Sequence, residues 1–391
     1  MKILRKTGIF ILTTVMIFTL TSTTKINTFA SQILNNNSGK PVNVAVLLYS
    51  FDDLFMLQLK QSFEELQKED NSNVRFTFYD GKNNIAIQNQ TLDSVLNNNV
   101  DLIIANLADV SESSVENVIS RVKQKNVPIV LLGSELIVPS KVAKDYRKAA
   151  FLLPNSNEAG MAEGKILVDL WNTNKAALDK NNDNILQYIL LQGKDNDPIA
   201  IDRSKYAIST LNDSGIKTQQ LQAVHDDWLK ELAKSSMESL FLKYGGNIEA
   251  IIANNDAMAI GAIEALQKYG YNKGDKTKNI AVVGIDAITE ARKLVDNGFM
   301  TGTVVQDPKV LAEVFYNVGM NLVKNLNPTE NTNYKVVDGN IIIPFSYQEY
   351  VGQTSTLLQK GTDPCVNLHG THCKFPITVF YIYSSFLTFF N

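Results

Sequence analysis

"VNVAVLLYSFDDLFM", residues 42–56, holds the decision about the fold. Its first half, Val42 to Tyr49, is an almost unbroken apolar run, as expected of a strand buried on both faces. A short polar turn follows. The chain then continues as a helix with Met56, Leu59, Phe63 and Leu66 on one face. A strand covered on both faces needs helices to cover it, so this stretch predicts the first βα unit of a parallel sheet.

The rhythm repeats downstream. "NVRFTFYD" (73–80), "DLIIAN" (101–106) and "VPIVLLG" (127–133) read as further strands. Between the last two, Val115, Val118, Ile119 and Val122 mark a helix at i, i+3, i+4 and i+7. After a polar break near Pro154 the pattern restarts with "LQYILLQG" (186–193), "KTQQLQAV" (217–224), "IEAIIAN" (248–254) and "NIAVVGID" (279–286). Two βα runs in series predict two similar α/β doubly wound domains, and 391 residues are enough for both. Ligands of such sheets bind outside the carboxyl ends of the strands, so a ligand of the pair belongs in the cleft between them.

Upstream, the chain begins differently. Lys2, Arg5 and Lys6 precede an apolar run from Ile9 to Leu20, and small residues follow before Ser31. This predicts a secretory signal peptide at residues 1–30 cut after Ala30 and an extracellular or periplasmic protein of the cell envelope. The competing reading is an N-terminal membrane anchor, for which the apolar run is short of ~20 residues. Removal of residues 1–30 takes the formal charge from −3 to −7. A mildly acidic protein suits neither nucleic acid nor an anionic membrane surface. The only cysteines, Cys365 and Cys373, lie near the C-terminus. The folded body is thus expected to hold without disulfides, and lipid attachment at the cleavage site is excluded.

The strand ends carry the candidate chemistry. "YSFDDLF" (49–55), "DDW" (226–228), "NNDAMA" (254–259) and "DAITEA" (286–291) offer carboxylates, amides and aromatic rings, with almost no His or Cys. Paired acceptors and donors suit vicinal hydroxyls, and Phe55 and Trp228 suit the C–H face of a sugar ring. The bland reading makes Asp53, Asp256 and Asp286 helix N-caps. Another polar stretch, "DKNNDNILQ" (179–187), has oxygen-bearing side chains at alternate places, like the front half of a calcium loop. Position twelve is Leu190 rather than a bidentate Glu, so a plain polar turn is the alternative.

With these stretches the chain resembles the galactose/glucose-binding proteins of bacterial sugar uptake, within the type I periplasmic binding proteins. "LLYSFDDLFM", "DKNNDNILQ", "IEAIIANNDAMAIGAIEAL" and "VVGIDAITEA" carry the resemblance, which runs from about Val42 to Tyr350. It implies two Rossmann-like domains joined by a hinge of three crossing segments near Leu153, Val305 and Ile343. The N-terminal lobe would comprise 42–153 plus 307–342, and the C-terminal lobe 154–306 plus 343–358. It implies calcium held by Asp179, Asn181, Asp183, the Ile185 carbonyl and Gln187, completed by the distant Glu249. Asn184 stands where that loop usually has Gly. Sugar contacts would be Tyr49, Asp53, Phe55, Arg203, Trp228, Asn255 and Asp286. Four contact positions depart from the pattern. Gly133 stands for an Asn, Asp197 and Ile199 stand for a His and an Asp, and Gln306 stands for an Asn. Asp197 and Gln306 remain candidate contacts. Arg203 has a plainer alternative as an ion pair with Asp197 or Asp202.

The implied partners are a monosaccharide and an ABC permease, with a chemoreceptor or sensor kinase as the signalling alternative, and the protein is expected to be a monomer. A glycoside hydrolase built on Asp53 and Asp286 is the enzymatic rival. With one His in the body, His225, a nucleophilic triad is not expected. The stretch 359–391 has no counterpart in the family. Its Cys365, His369, His372 and Cys373 leave three readings open: a zinc cluster, a Cys365–Cys373 disulfide, or an extension without function. The apolar run from Ile377 to Phe390 is short for a membrane span, which leaves weak packing on a membrane, in place of a lipid anchor, as a further reading.

Overall fold

The computed structural model describes residues 40–70, 73–133 and 145–352. The expected signal peptide and the tail at 359–391 lie outside them.

The quoted stretch forms the unit it announces. Strand β1 (Val42–Leu48) lies parallel between β2 (Val74–Asp80) and β3 (Leu102–Asn106), with Val44 opposite both Phe76 and Leu102. Helix α1 (Leu54–Glu69) starts where Asp53 accepts the Phe55 and Met56 amides, and it buries Phe55, Met56, Leu59 and Phe63. Helices α2 (Ile85–Leu96) and α3 (Glu112–Gln124) follow β2 and β3. Strands β4 (Ile129–Leu132) and β5 (Ala149–Leu153) extend the sheet.

The chain then crosses to a second sheet. Its elements are α4 (Ser156–Asn174), β6 (Ile185–Gln192), α5 (Pro198–Asp213), β7 (Lys217–His225), α6 (Lys230–Tyr244), β8 (Ala250–Ala253), α7 (Asp256–Lys268), β9 (Ala281–Asp286), α8 (Thr289–Asp296) and β10 (Gly302–Val305). Beyond β10 the chain returns: α9 (Pro308–Val323) packs on α1 and on the first sheet. There Phe315 of α9 lies 5.9 Å from Phe63 of α1, which lies 5.0 Å from Phe76 of β2. Burying such rings, at about 1.5–3 kcal/mol each, fixes the returning helix to the lobe it left. Strands β11 (Val336–Val337) and β12 (Asn340–Ile342) add to the first sheet, and β13 (Glu349–Tyr350) closes the edge of the second.

The first sheet runs β11-β12-β5-β4-β3-β1-β2 and the second β13-β10-β9-β8-β6-β7. Both therefore have the same doubly wound order, switching direction between β1 and β3 in one and between β6 and β8 in the other. All pairings are parallel except β11 with β12 and β10 with β13. Strands β5, β10, β11, β12 and β13 go beyond the eight expected. "AAFLL" and "GTVV" are too short to show a period, and their pairing with β4 and β9 makes them strands.

Candidate functional site

Each doubly wound sheet has its crevice at the switch point, and the side chains there come from strand ends. The end of β1 supplies Tyr49, Asp53 and Phe55. From the second sheet, the β6 end leads to Asp197 and Arg203, that of β7 to Trp228, that of β8 to Asn255 and that of β9 to Asp286. Gln306 stands just past β10. All nine line one cavity. Its rim is completed by apolar residues of the crossings, Pro154, Ile343 and Phe345.

The N-cap reading and the site reading are both true of the same residues. Asp53 Oδ1 accepts the amides of Phe55 (2.7 Å) and Met56 (3.0 Å), while Oδ2 accepts the Tyr49 hydroxyl at 2.5 Å. Asp197 caps α5 through the Ile199 amide at 2.9 Å. Asn255 caps α7 through the Met258 amide and donates to the Trp228 carbonyl, each at 3.0 Å. A side chain held this way is pre-aimed, with little freedom left to lose on binding. Arg203 does not pair with Asp197 or Asp202. Its Nη1 donates to the Asn254 carbonyl at 2.7 Å and its Nη2 to Gln306 Oε1 at 2.8 Å, while Nε is buried without a partner. The guanidinium lies 5.6 Å from the centre of the Trp228 ring.

Trp228 is set by a tight turn, with φ of 51° at Asp227 and 69° at Trp228 itself. Its indole lies against Gly193. A Cβ there would stand 2.1 Å from Trp228 Cε2, so only glycine lets the ring reach this position.

Burial dominates the electrostatics. It raises the Asp53 and Asp197 carboxyls above their ordinary range, although hydrogen bonds and Arg203 pull the other way. Tyr49 is pushed well above its usual value by burial and then by Asp53. Asp286 rises well above the carboxylate range by burial, opposed by Arg203 and reinforced by Asp256. Behind the cavity, burial raises Asp256 to about 7. Glu163 of α4 is wholly buried, with both carboxyl oxygens unpartnered, and rises well above its ordinary value.

One wall residue escaped the sequence reading. Asn106, the last residue of β3, lines the cavity, and its buried Oδ1 has no partner. The strand-end rule points to it, since "DLIIAN" stops there. Gly133, treated above as a lost amide of this cavity, lies in an adjoining one, and the amide on that side of the cleft is Asn106.

The loop 179–187 is drawn together as a second polar centre. Glu249 accepts the Lys180 amide (2.7 Å) and the Gln187 amide (3.0 Å). Asp183 accepts the Ile185 amide at 2.8 Å and the Gln187 side chain at 2.8 Å. Asn181 Oδ1 accepts the Asp183 amide at 2.9 Å. Asn184 has φ of 64°, the left-handed turn that Asn tolerates. Asp179 is buried, with Oδ1 unpartnered and Oδ2 lying 3.2 Å from Lys175 Nζ. Among the described residues no group of three or more His, Cys, Asp and Glu gathers as a metal cluster. The donors of this loop are a mixture of carboxylates, amides and carbonyls.

Comparison with known proteins bears on the class of the protein. The periplasmic binding protein domain matches residues 44–327. The D-galactose/methyl-galactoside binding periplasmic protein of Haemophilus influenzae is 30% identical over 303 residues, covering 77% of this chain and 88% of its own. The D-allose-binding periplasmic protein of Escherichia coli is 24% identical over 72% of this chain and 84% of its own. Among solved structures, a galactofuranose binding protein superposes with a TM-score of 0.65, at 19% identity, over 81% of this chain and 97% of that one. A solute binding protein from Bacillus halodurans with bound myo-inositol gives 0.59 at 22% identity, over 75% and 92%. The chain belongs to the periplasmic binding protein family. It is thus a binding protein rather than an enzyme. Among the described residues no helix is long and apolar enough to cross a membrane.

Proposed function

We propose that the protein captures a monosaccharide of the galactose or glucose type in its cleft and delivers it to the membrane permease of an ABC transporter. One observation carries this reading. Two aromatic rings, Phe55 and Trp228, face one cavity with pre-aimed carboxylates and amides, and the unpartnered Asn106 Oδ1 and Arg203 Nε lie among its walls. Such a set offers ring faces and hydroxyl partners to a neutral polyol, and each buried orphan atom gains about 1–3 kcal/mol when satisfied. Walls come from both sheets, so a ligand that touches both favours the closed arrangement of the lobes.

A thermal-shift panel tests the reading: galactose, glucose, ribose, arabinose, xylose and several nucleosides. A ligand bound only by the native state at a hundred times its Kd adds about 2.7 kcal/mol. A shift with galactose or glucose supports the reading. A shift with another sugar alone reassigns the ligand, and no shift with any sugar refutes it.

The loop of Asp179, Asn181, Asp183, Ile185, Gln187 and Glu249 fits calcium, and we assign it as a structural calcium site. The donors are oxygens of mixed charge, as Ca²⁺ prefers, and Asp179 holds a buried oxygen with no protein partner. The bound ion would neutralise the carboxylates of Asp179, Asp183 and Glu249 and tie the start of β6 to that of β8.

A further inference from the structure

Glu163 lies behind the cavity without lining it. It belongs to α4, is wholly buried, and has no partner for either carboxyl oxygen. Helix α4 packs closely on α5 around it. A Cβ built on Gly160 would stand 2.5 Å from the Arg203 carbonyl, and one on Gly164 would meet that of Ala207. Arg203 is buried on the facing helix, and its Nε has no partner either. Two orphan acceptors thus lie near an orphan donor, and Arg203 is the charge that acts most strongly on Glu163. Asp256, at the start of α7, is the other charge that acts on it. Strand β9 ends in Asp286, and β10 brings only Thr303, which is bound to Asp256. Tyr347 of the third crossing lies toward Arg203 and Glu158. The remaining charges around α4 pair elsewhere: Lys165 with Asp169 and with Glu349 of β13, and Lys175 with Asp179, while Asp202 of α5 lies toward Lys205.

Three buried carboxyls, Glu163, Asp256 and Asp286, therefore share one buried guanidinium. Were all three ionised, the interior would hold uncompensated negative charge, which burial strongly disfavours. Asp256 accepts a hydrogen bond on each oxygen, whereas Glu163 accepts none, so Glu163 is the one that keeps its proton. Burial raises it well above its ordinary range, in the same sense. We propose that Glu163 is a positioning residue worked by its own proton: neutral, it leaves Arg203 bound to Gln306 and beside Trp228, and ionised, it draws the guanidinium back toward α4 and away from the ligand. The arrangement seen here holds while pH stays below the folded value of Glu163. As pH rises through that value a buried carboxylate without partners is left, and Arg203 is the cation that acts on it. Affinity should therefore fall as pH rises.

Two measurements on the whole protein test this. The first uses no ligand. The chain has two tryptophans, so Trp171→Phe leaves the emission of Trp228, whose ring lies 5.6 Å from the guanidinium. Between pH 5.5 and 9 that emission should change in one transition, which Glu163→Gln removes and Asp256→Asn keeps. The second, which rests on the sugar-binding reading above, is calorimetry with galactose and glucose. Kd should weaken at least fivefold from pH 5.5 to pH 8.5 in the wild type. In Glu163→Gln, which mimics the neutral acid, it should stay within twofold of the wild-type value at pH 5.5. Melting curves show whether the variant folds, and Glu163→Met, neutral and of similar length, takes its place if it does not. A Trp228 transition that survives the loss of the Glu163 carboxyl, or none at all in the wild type, would overturn the proposal. So would an affinity that falls equally with pH in wild type and variant. If neither sugar binds at pH 5.5, the sugar-binding reading fails, and the emission of Trp228 still decides the role of Glu163.

Discussion

Asp256 holds the turn that presents Asp286. Its Oδ1 accepts the Thr303 hydroxyl at 2.6 Å, and its Oδ2 accepts the Ile288 amide at 2.9 Å. Thr303 in turn accepts the Ala287 amide at 3.1 Å. The turn needs such restraint. Asp286 has φ of 126° and Ala287 φ of 52°, both sparsely populated for residues with a Cβ. The approach is so close that a Cβ on Gly284 would stand 2.6 Å from Asp256 Oδ1. Asp256, the third residue of the "NND" run, is thus a positioning residue, whereas Asn255 beside it lines the cavity.

Thr303→Val should therefore weaken ligand binding from a distance. It leaves Asp256 Oδ1 and the Ala287 amide buried without their partner, at about 1–3 kcal/mol each. Thr303→Ser keeps the hydroxyl and should keep the affinity. Calorimetric Kd values beside ligand-free melting temperatures check this. A variant that melts earlier yet binds normally would reduce the pair to a structural role.

The buried acids predict a pH dependence. Asp256 titrates at about 7, and Asp286 and Glu163 are also raised by burial, above the ~4 expected of unfolded carboxylates. A raised carboxyl favours the fold while it is protonated. Its contribution is full below the unfolded value and is lost as pH rises through the folded one. The ligand-free protein should melt at a higher temperature at pH 5.5 than at pH 7.5, and Asp256→Asn should flatten that slope. An unchanged slope in the variant would show that Asp256 is not its source.

Gly193→Ala should act through Trp228. The added methyl collides with the indole, whose displacement also removes it from Arg203. Ring stacking and cation–π contact of this kind are worth about 1–2 kcal/mol. A five- to thirtyfold loss of affinity is expected, with tryptophan fluorescence shifted in the free protein. Equal affinity in the variant would mean that Trp228 does not contact the ligand.

Chelation should lower the melting temperature of the wild type, and calcium in excess should restore it. Asp179→Ala should melt low in either condition, with sugar affinity changed less than threefold, because the loop lies away from the cavity walls. A wild-type melting temperature indifferent to chelator would count against a bound ion.

Most of the fold was legible because continuous apolar strands alternate with one-faced helices. β1 and α1 show this within fifteen letters. What escaped was short. β5 and β10 are five and four residues long, and their identity as strands depends on neighbours distant in the chain. β12 has three residues, so Ile343 and Phe345 reach the cavity without any periodic signal. In the site, residues after strands were legible from topology alone. Arg203 and Gln306 came through resemblance, since an arginine inside a helix looks the same whether it faces solvent or a cleft. Glu163 was not legible at all: a glutamate in a helix normally points to water, and only the packing of α4 shows this one buried.

Asp53, Asp197 and Asn255 each begin a helix and each face the cavity. The double duty divides the walls into two kinds. A change at a capping position would loosen a helix start, by about 0.5–2 kcal/mol, before it altered what is bound. Asn106 and Ile199 cap no helix and are freer to change. New ligand preferences should therefore arise more readily at those two positions, whereas changes at the three caps should also register as lost stability.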